Sequence, residues 1–225
     1  IAKKYNLLVL EDAAQGFGGT INGKKACSFG EASTTSFFPA KPLGCYGDGC
    51  AIFTDDENLY NLLCSIRVHG KGKEKYDNVR VGLNSRIDTL QAAILLPKLK
   101  AFEQHEVDDR HKWAKLYNEL LNGVVKTPLI PDGYTSSYAQ YTILLKDEEQ
   151  RNALQSALKE KGIPSMIYYP TPLHRQTVYR SLGYSEGSLP VCEKSSKCVL
   201  SLPMHPYLDE QTVKTVANAI IDFFK

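Results

Sequence analysis

Apolar positions along the chain recur at two spacings, and the spacing changes from one element to the next. Leu7-Leu8-Val9-Leu10 is an unbroken apolar run, the pattern of a strand buried on both faces, and Glu11-Asp12 follows at its carboxyl end. Residues 34–38 are β-branched, hydroxyl-bearing and aromatic, and residues 51–54 are again largely apolar, so both read as strands. Asn22-Gly23 between short flanks predicts a tight hairpin over residues 20–25. Leu59, Leu62, Leu63 and Ile66 then fall at the three- and four-residue spacing of an amphipathic helix, with Asp55 as its expected cap. The loop after it, residues 67–74, reads as exposed, with His69 facing solvent.

From about residue 88 to residue 121 the pattern is helical throughout. Leu90, Ile94, Leu95, Leu99, Phe102, Trp113, Leu116, Tyr117 and Leu120 are the expected buried positions, and Pro97 permits a kink. A helix of that length joins two bodies, and its polar middle, residues 103–112, marks the boundary between them. The expected domains are therefore residues 1–106 and 107–225. The second alternates: a strand at 138–145, a helix at 147–161 ending at Gly162, strands at 165–168 and 198–201, and a closing helix at 209–224. The expected class is α/β for the first part and a smaller α+β layer structure for the second.

Composition narrows the choice of partners. With 225 residues, 43% of them hydrophobic, the chain can bury a core. A formal net charge of +2 without a basic block argues against nucleic acid, and no apolar run approaches the ~20 residues of a membrane span. The six cysteines show no Cys-x-x-Cys spacing and no paired histidine, so they read as reduced thiols of a cytoplasmic protein, with no metal site expected. Cys45 and Cys50 are either small buried side chains or thiols sensitive to oxidation. The glycine-rich stretch at residues 16–19 has no helix pattern behind it and is not a dinucleotide fingerprint.

The candidate chemistry lies between the second and third predicted strands. There Lys41 sits in a loop stiffened by Pro39 and Pro42 and loosened at Gly44, so the lysine is presented in a set direction. A lysine so held can act as a nucleophile toward a carbonyl. A loop lysine is a solvated charge in most proteins, and the functional reading leans on Asp12, placed at the end of a strand where open α/β sheets bind ligands.

Several ordered motifs carry a resemblance. Asp12-Ala13-Ala14-Gln15 follows the first strand, Ser36-Phe37-Phe38-Pro39-Ala40-Lys41 leads to Gly47-Asp48-Gly49, and Gly82-Leu83-Asn84-Ser85-Arg86 opens the long helix. With Tyr169-Pro170-Thr171-Pro172-Leu173-His174 and the stretch from Ser201 to Leu208, they resemble the DegT/DnrJ/EryC1/StrS sugar aminotransferases, which use pyridoxal phosphate. They are most similar to the subgroup that aminates the 3-keto position of a UDP-linked N-acetyl-hexuronic acid. The resemblance implies a fold-type I aminotransferase of which this chain is the C-terminal portion, the remnant of the large domain plus the small one. The opening Ile1-Ala2-Lys3-Lys4-Tyr5 reads as the tail of a helix without its start. Weak cofactor binding is expected of a chain so shortened.

The same resemblance implies roles. Asp12 would keep the pyridine nitrogen protonated, Gln15 would pack on the ring or bond its phenolic oxygen, and Ser36 would bind the phosphate. Lys41 would hold the cofactor covalently and then carry the proton. Asn84 would reach a partner subunit's cofactor phosphate, which implies a homodimer with shared sites. Arg86 would take a sugar carboxylate or, as the alternative, pair with Asp88. Tyr169 and His174 would line the substrate pocket, against the alternative of packing residues in a Pro-rich turn. Tyr168, where the subgroup carries histidine, and Cys50, where it carries glycine, depart from the pattern. Glutamate is the expected amino donor and a nucleotide-linked keto sugar the acceptor. The alternative is a non-catalytic, aminotransferase-like regulatory or assembly module.

Overall fold

The computed structural model describes residues 1–225. The chain forms two compact units, one of Ile1–Val107 with Ile130–Ala139, the other of Asp108–Leu129 with Gln140–Lys225. The first differs from the expected domain in one respect. Residues 130–139 belong to it, because a short strand there is paired to the predicted hairpin.

The first unit opens with helix α1 (Ala2–Tyr5) and is organised around a three-stranded sheet of β1 (Leu10–Asp12), β4 (Ala32–Ser36) and β5 (Cys50–Phe53), in the order β1-β4-β5. β1 runs parallel to β4, with Leu10, Glu11 and Asp12 opposite Ala32, Ser33 and Thr34, and β5 runs antiparallel to β4. The apolar run that predicted a doubly buried strand is instead exposed: Leu7, Leu8, Val9 and Leu10 all face solvent, Leu8 at 86%. Regular pairing begins only at Leu10, and β1 is an edge strand. The buried positions of this sheet are hydroxyls, Ser33 and Thr35, whose Oγ atoms donate to the carbonyls of Cys27 at 2.7 Å and Ala13 at 3.0 Å.

The predicted hairpin forms from β2 (Thr20–Ile21) and β3 (Lys24–Lys25), turning at Asn22 and Gly23, whose φ angles of 50° and 79° are those of a primed turn. β6 (Tyr134–Thr135) adds to its free edge, and Thr135 Oγ1 meets Thr20 Oγ1 at 2.9 Å. Helix α2 (Glu57–Ile66) carries the predicted apolar spacing, but its cap is Asp56, not Asp55. Helix α3 (Thr89–Ala101) runs through Pro97 and leaves α geometry only at a π turn, Phe102–Glu106. There the buried Phe102 ring lies against Gly18, where a Cβ would stand 2.5 Å from it. Leu90, expected in the core, is exposed.

In the second unit, helix α4 (Val107–Leu120, of which residues from Asp108 onward belong here) and helices α5 (Glu148–Glu160) and α7 (Glu210–Phe223) accompany the antiparallel pair β7 (Tyr141–Leu144) and β8 (Val199–Leu202). The strand expected from residue 138 starts at Tyr141, and that expected at 165–168 contracts to one bridge, Met166 to Ser201. Tyr117, Tyr141, Ile143, Leu154, Leu158, Leu200, Val213 and Ile220 are essentially sealed from water. Tyr117 and Tyr141 stack at 4.8 Å. Burial pushes the Tyr117 phenol well above its ordinary range, and its hydroxyl donates to Pro203 O at 3.1 Å while Trp113 Nε1 donates to Pro206 O at 3.0 Å. These two bonds fix the Pro203 to Pro206 turn. Helix α6 (Pro190–Cys198) was not legible in the apolar pattern.

Candidate active site

Parallel register decides which side chains gather at the sheet's carboxyl end. Asp12 is opposite Thr34, and Ser36 lies two residues further along the same strand, so alternation puts Asp12, Thr34 and Ser36 on one face. Strand spacing and rise set the Cα atoms of Asp12 and Ser36 about 8 Å apart. The other face holds Glu11, whose carboxylate accepts the backbone N–H of Cys27 at 2.8 Å and of Phe29 at 3.0 Å. Glu11 thereby ties the end of β1 to the 27–29 turn, a bracing role that its position beside Asp12 did not disclose. Burial, more than the neighbouring Glu11 charge, pushes the Cys27 thiol up.

Asp12 is exposed, with Oδ1 accepting Ala14 N–H at 3.0 Å and Oδ2 left for another donor. Ser36 Oγ accepts the N–H of Phe38 at 3.2 Å, which leaves its own hydrogen to point outward. Gln15 is exposed, and its backbone carbonyl accepts from Ser137 Oγ at 3.4 Å.

Lys41 is half-buried in a loop closed at its neck by Phe37 N–H to Gly49 O at 2.7 Å. Inside the loop Lys41 N–H donates to Phe38 O at 2.8 Å and Cys45 N–H to Phe37 O at 2.8 Å. The Cys45 thiol, fully buried, donates toward Phe37 O at 3.0 Å and Gly47 O at 3.1 Å. Cys45 is thus the small buried residue of the two readings, whereas Cys50 is exposed. Gln91 of α3 braces the loop from outside, accepting Tyr46 N–H at 2.8 Å. A Cβ at Gly47 would meet the Gln91 amide at 3.0 Å, so the glycine allows that approach.

Asn84 and Arg86 stand on a segment paired with the end of α2. Leu83 N–H donates to Ile66 O at 2.7 Å, His69 N–H to Leu83 O at 2.9 Å, and Ser85 N–H to Arg67 O at 2.9 Å. Asn84 Oδ1 accepts from Arg86 Nε at 3.2 Å and Nη2 at 2.9 Å. Arg86 thus bonds Asn84 and not Asp88, the alternative partner. Ser36, Asn84 and Arg86 share the wall of one open cleft of about 1010 Å³, while Asp12, Gln15 and Lys41 lie off that wall.

Tyr169 and His174 belong to the second unit. Tyr169 is exposed beside Tyr168, ring to ring at 5.5 Å. The His174 ring is nearly buried, its Nε2 is 3.0 Å from Glu193 Oε1, and its plane meets the Tyr184 ring edge-on at 6.0 Å. Glu193 also accepts Gly187 N–H and Leu189 N–H, and these bonds with that to His174 hold its carboxyl down to about 2. Nothing in the surrounding residues, Leu189-Pro190-Val191-Cys192 before it and Lys194-Ser195-Ser196 after it, marked Glu193 in the sequence.

The donor set suits pyridoxal phosphate. A free carboxylate oxygen on Asp12 can accept a pyridinium N–H, Ser36 and the NH2 of Asn84 can donate to phosphate oxygens, and Lys41 supplies the amine.

The chain is 46% identical over 221 residues to the UDP-2-acetamido-2-deoxy-3-oxo-D-glucuronate aminotransferase of Pseudomonas aeruginosa, covering 98% of this chain and 59% of that protein. It is also 46% identical to the pleiotropic regulatory protein of Geobacillus stearothermophilus, over 100% of this chain and 60% of that one. A crystal structure of an aminotransferase of the same family from Brucella abortus superposes with a TM-score of 0.93 at 48% identity, over 99% of this chain and 59% of that one. The chain therefore spans about 60% of the length of these relatives. Since the family model runs over residues 1–221, this chain belongs to the DegT/DnrJ/EryC1/StrS aminotransferase family.

Proposed function

We propose that the protein transfers an amino group, from glutamate, to a keto group of a nucleotide-linked sugar, a UDP-3-keto-hexuronic acid, with pyridoxal phosphate as cofactor. The observation that carries this reading is the placement of Asp12 and Ser36 on one face at the carboxyl end of adjacent parallel strands, from which the Lys41 loop departs. Its support from relatives is the name of the 46%-identical P. aeruginosa protein.

Pyridoxal phosphate, when bound, supplies an electron sink for the carbon that loses its proton. The residues of this chain do the rest. The Asp12 carboxylate would hold a proton on the ring nitrogen and so keep the ring electron-poor, and Gln15 would support the ring or its phenolic oxygen. Ser36 Oγ and Asn84 Nδ2 would donate to phosphate oxygens, Asn84 across a homodimer interface. Lys41 Nζ would be the amine that holds the cofactor and, once free, the base that would move the proton between two carbons. Arginine could not replace it, because its guanidinium does not give up its proton. The remaining N–H groups of Arg86 suit a sugar carboxylate. The unpaired cysteines fit a reducing, cytoplasmic setting.

The regulatory reading has one observation in its favour, the name of the G. stearothermophilus relative. A borohydride experiment separates the two. The whole protein, loaded with cofactor and reduced, should carry the label on Lys41, and glutamate should convert the cofactor to its aminated form. Label on another lysine, or no conversion by glutamate, removes the enzymatic reading.

A further inference from the structure

Asn84 and Arg86 are two residues apart and form a unit. A guanidinium offers only donors, so the Asn84 atom lying between Nε at 3.2 Å and Nη2 at 2.9 Å is the amide oxygen, and the NH2 end is directed to the opposite side. The backbone beneath is already fixed. Residues 83 and 85 are bonded to Ile66, Arg67 and His69, and that approach depends on Gly82, where a Cβ would stand 2.0 Å from Gly70 N. With its Cα held, Asn84 keeps only its side-chain torsions, and the fork of Arg86 sets them. The cation behind the oxygen also polarises the amide, so its N–H groups become stronger donors toward an anion.

We propose that Arg86 is a positioning residue that turns the Asn84 amide into a phosphate-directed donor. This rests on the reading above, that pyridoxal phosphate binds and Asn84 meets its phosphate. Arg86 then contributes to cofactor affinity without touching the cofactor, whatever its remaining N–H groups contribute to the sugar. Lysine could not substitute: an ammonium is a point charge with no planar fork to fix an amide.

The test is a double-mutant cycle in the whole protein, read as dissociation constants for pyridoxal phosphate and, as a control, for pyridoxal, which lacks the phosphate. Asn84→Ala and Arg86→Ala should each weaken pyridoxal phosphate by about ten- to a hundredfold. The double variant should be no weaker than Asn84→Ala within about threefold, as befits residues that act through one contact. Arg86→Lys should behave like Arg86→Ala, and pyridoxal affinity should not move in any variant. Losses that multiply in the double variant, recovery by lysine, equal losses for pyridoxal, or an Arg86→Ala protein with unchanged cofactor affinity and a raised KM for the sugar would each overturn the inference while leaving the proposed function in place. A wild-type protein that binds no pyridoxal phosphate would remove both.

Discussion

His174 Nε2 lies 3.0 Å from Oε1 of Glu193, and the same carboxylate takes the backbone N–H groups of Gly187 at 2.8 Å and Leu189 at 3.3 Å. One side chain therefore closes a stretch in which residues 175–192 bury almost nothing of their own. The consequence is a pH dependence of definite sign. The Glu193 carboxyl falls from an ordinary 4.5 to about 2 in the folded chain, so the unfolded chain binds the proton more tightly. The stabilisation is complete above the ordinary carboxylate range and is lost as pH falls from about 4.5 toward about 2. Urea unfolding of wild type and Glu193→Gln should show the wild type ahead at neutral pH and the two converging toward about pH 2. A gap that persists in strong acid would mean the carboxylate's charge is not what holds the segment.

Gly82 and Gly70 let two backbone segments approach more closely than side chains allow. A methyl at Gly82 would stand 2.0 Å from Gly70 N and 2.5 Å from His69 C, with neither atom free to yield. Gly82→Ala should cost about 2–4 kcal/mol in thermal unfolding and release Asn84 from its register. Gly23→Ala makes the contrast. Nothing lies within 4 Å there, so only the φ of +79° opposes it, at about 1–2 kcal/mol.

Cys45 fills the interior of the Lys41 loop and donates toward two of its carbonyls. Cys45→Ala removes the sulfur without replacing either contact and should destabilise the fold by about 1–2 kcal/mol. Because the lost atoms organise the lysine loop, borohydride labelling of Lys41 should fall at subsaturating cofactor and recover at saturation. Hydrogen exchange at the Phe37 and Cys45 amides, both closing bonds of the loop, should rise in the same variant.

How much of this was legible depended on what kind of interaction made each element. The Asn22-Gly23 hairpin and the α5 and α7 helices follow from local rules, a primed turn in one case and an aspartate cap with helical spacing in the others: Asp147 takes Gln150 N–H at 2.9 Å and Asp209 takes Thr212 N–H at 2.6 Å. Helix α6 escaped because its buried side is polar. Val191 is 81% exposed, whereas Ser196 and Cys198 are buried, and the near-sealed Arg151 donates to Ser196 O at 3.2 Å. Leu7 to Leu10 are exposed because no strand of these 225 residues pairs with the other edge of β1, and an apolar run states a need for cover without naming what supplies it. At the candidate site the motif residues were visible as motifs, but their bracing was not. Glu11, Gln91, Glu193 and the Arg86 fork act through backbone amides and a side-chain amide brought close by the fold, and no spacing along the chain encodes such contacts.

The start of α2 gives a test in which adjacent aspartates must differ. Asp56 Oδ1 accepts the N–H groups of Asn58 at 2.8 Å and Leu59 at 3.0 Å, satisfying two amides that the first helical turn leaves open, while Asp55 stands one residue outside. Thr54 sets that frame, because its Oγ1 donates to Glu31 O at 2.7 Å and accepts Asp56 N–H at 3.2 Å, fixing where extended backbone ends. Asp56→Ala should therefore cost about 1 kcal/mol and Asp55→Ala less than about 0.5, measured as denaturant midpoints at neutral pH. Asp56→Ser, which keeps an acceptor oxygen at the cap, should recover most of the loss. Equal effects of the two alanine variants would show that nearby negative charge at the helix start, and not the hydrogen bonds of one side chain, provides the stabilisation.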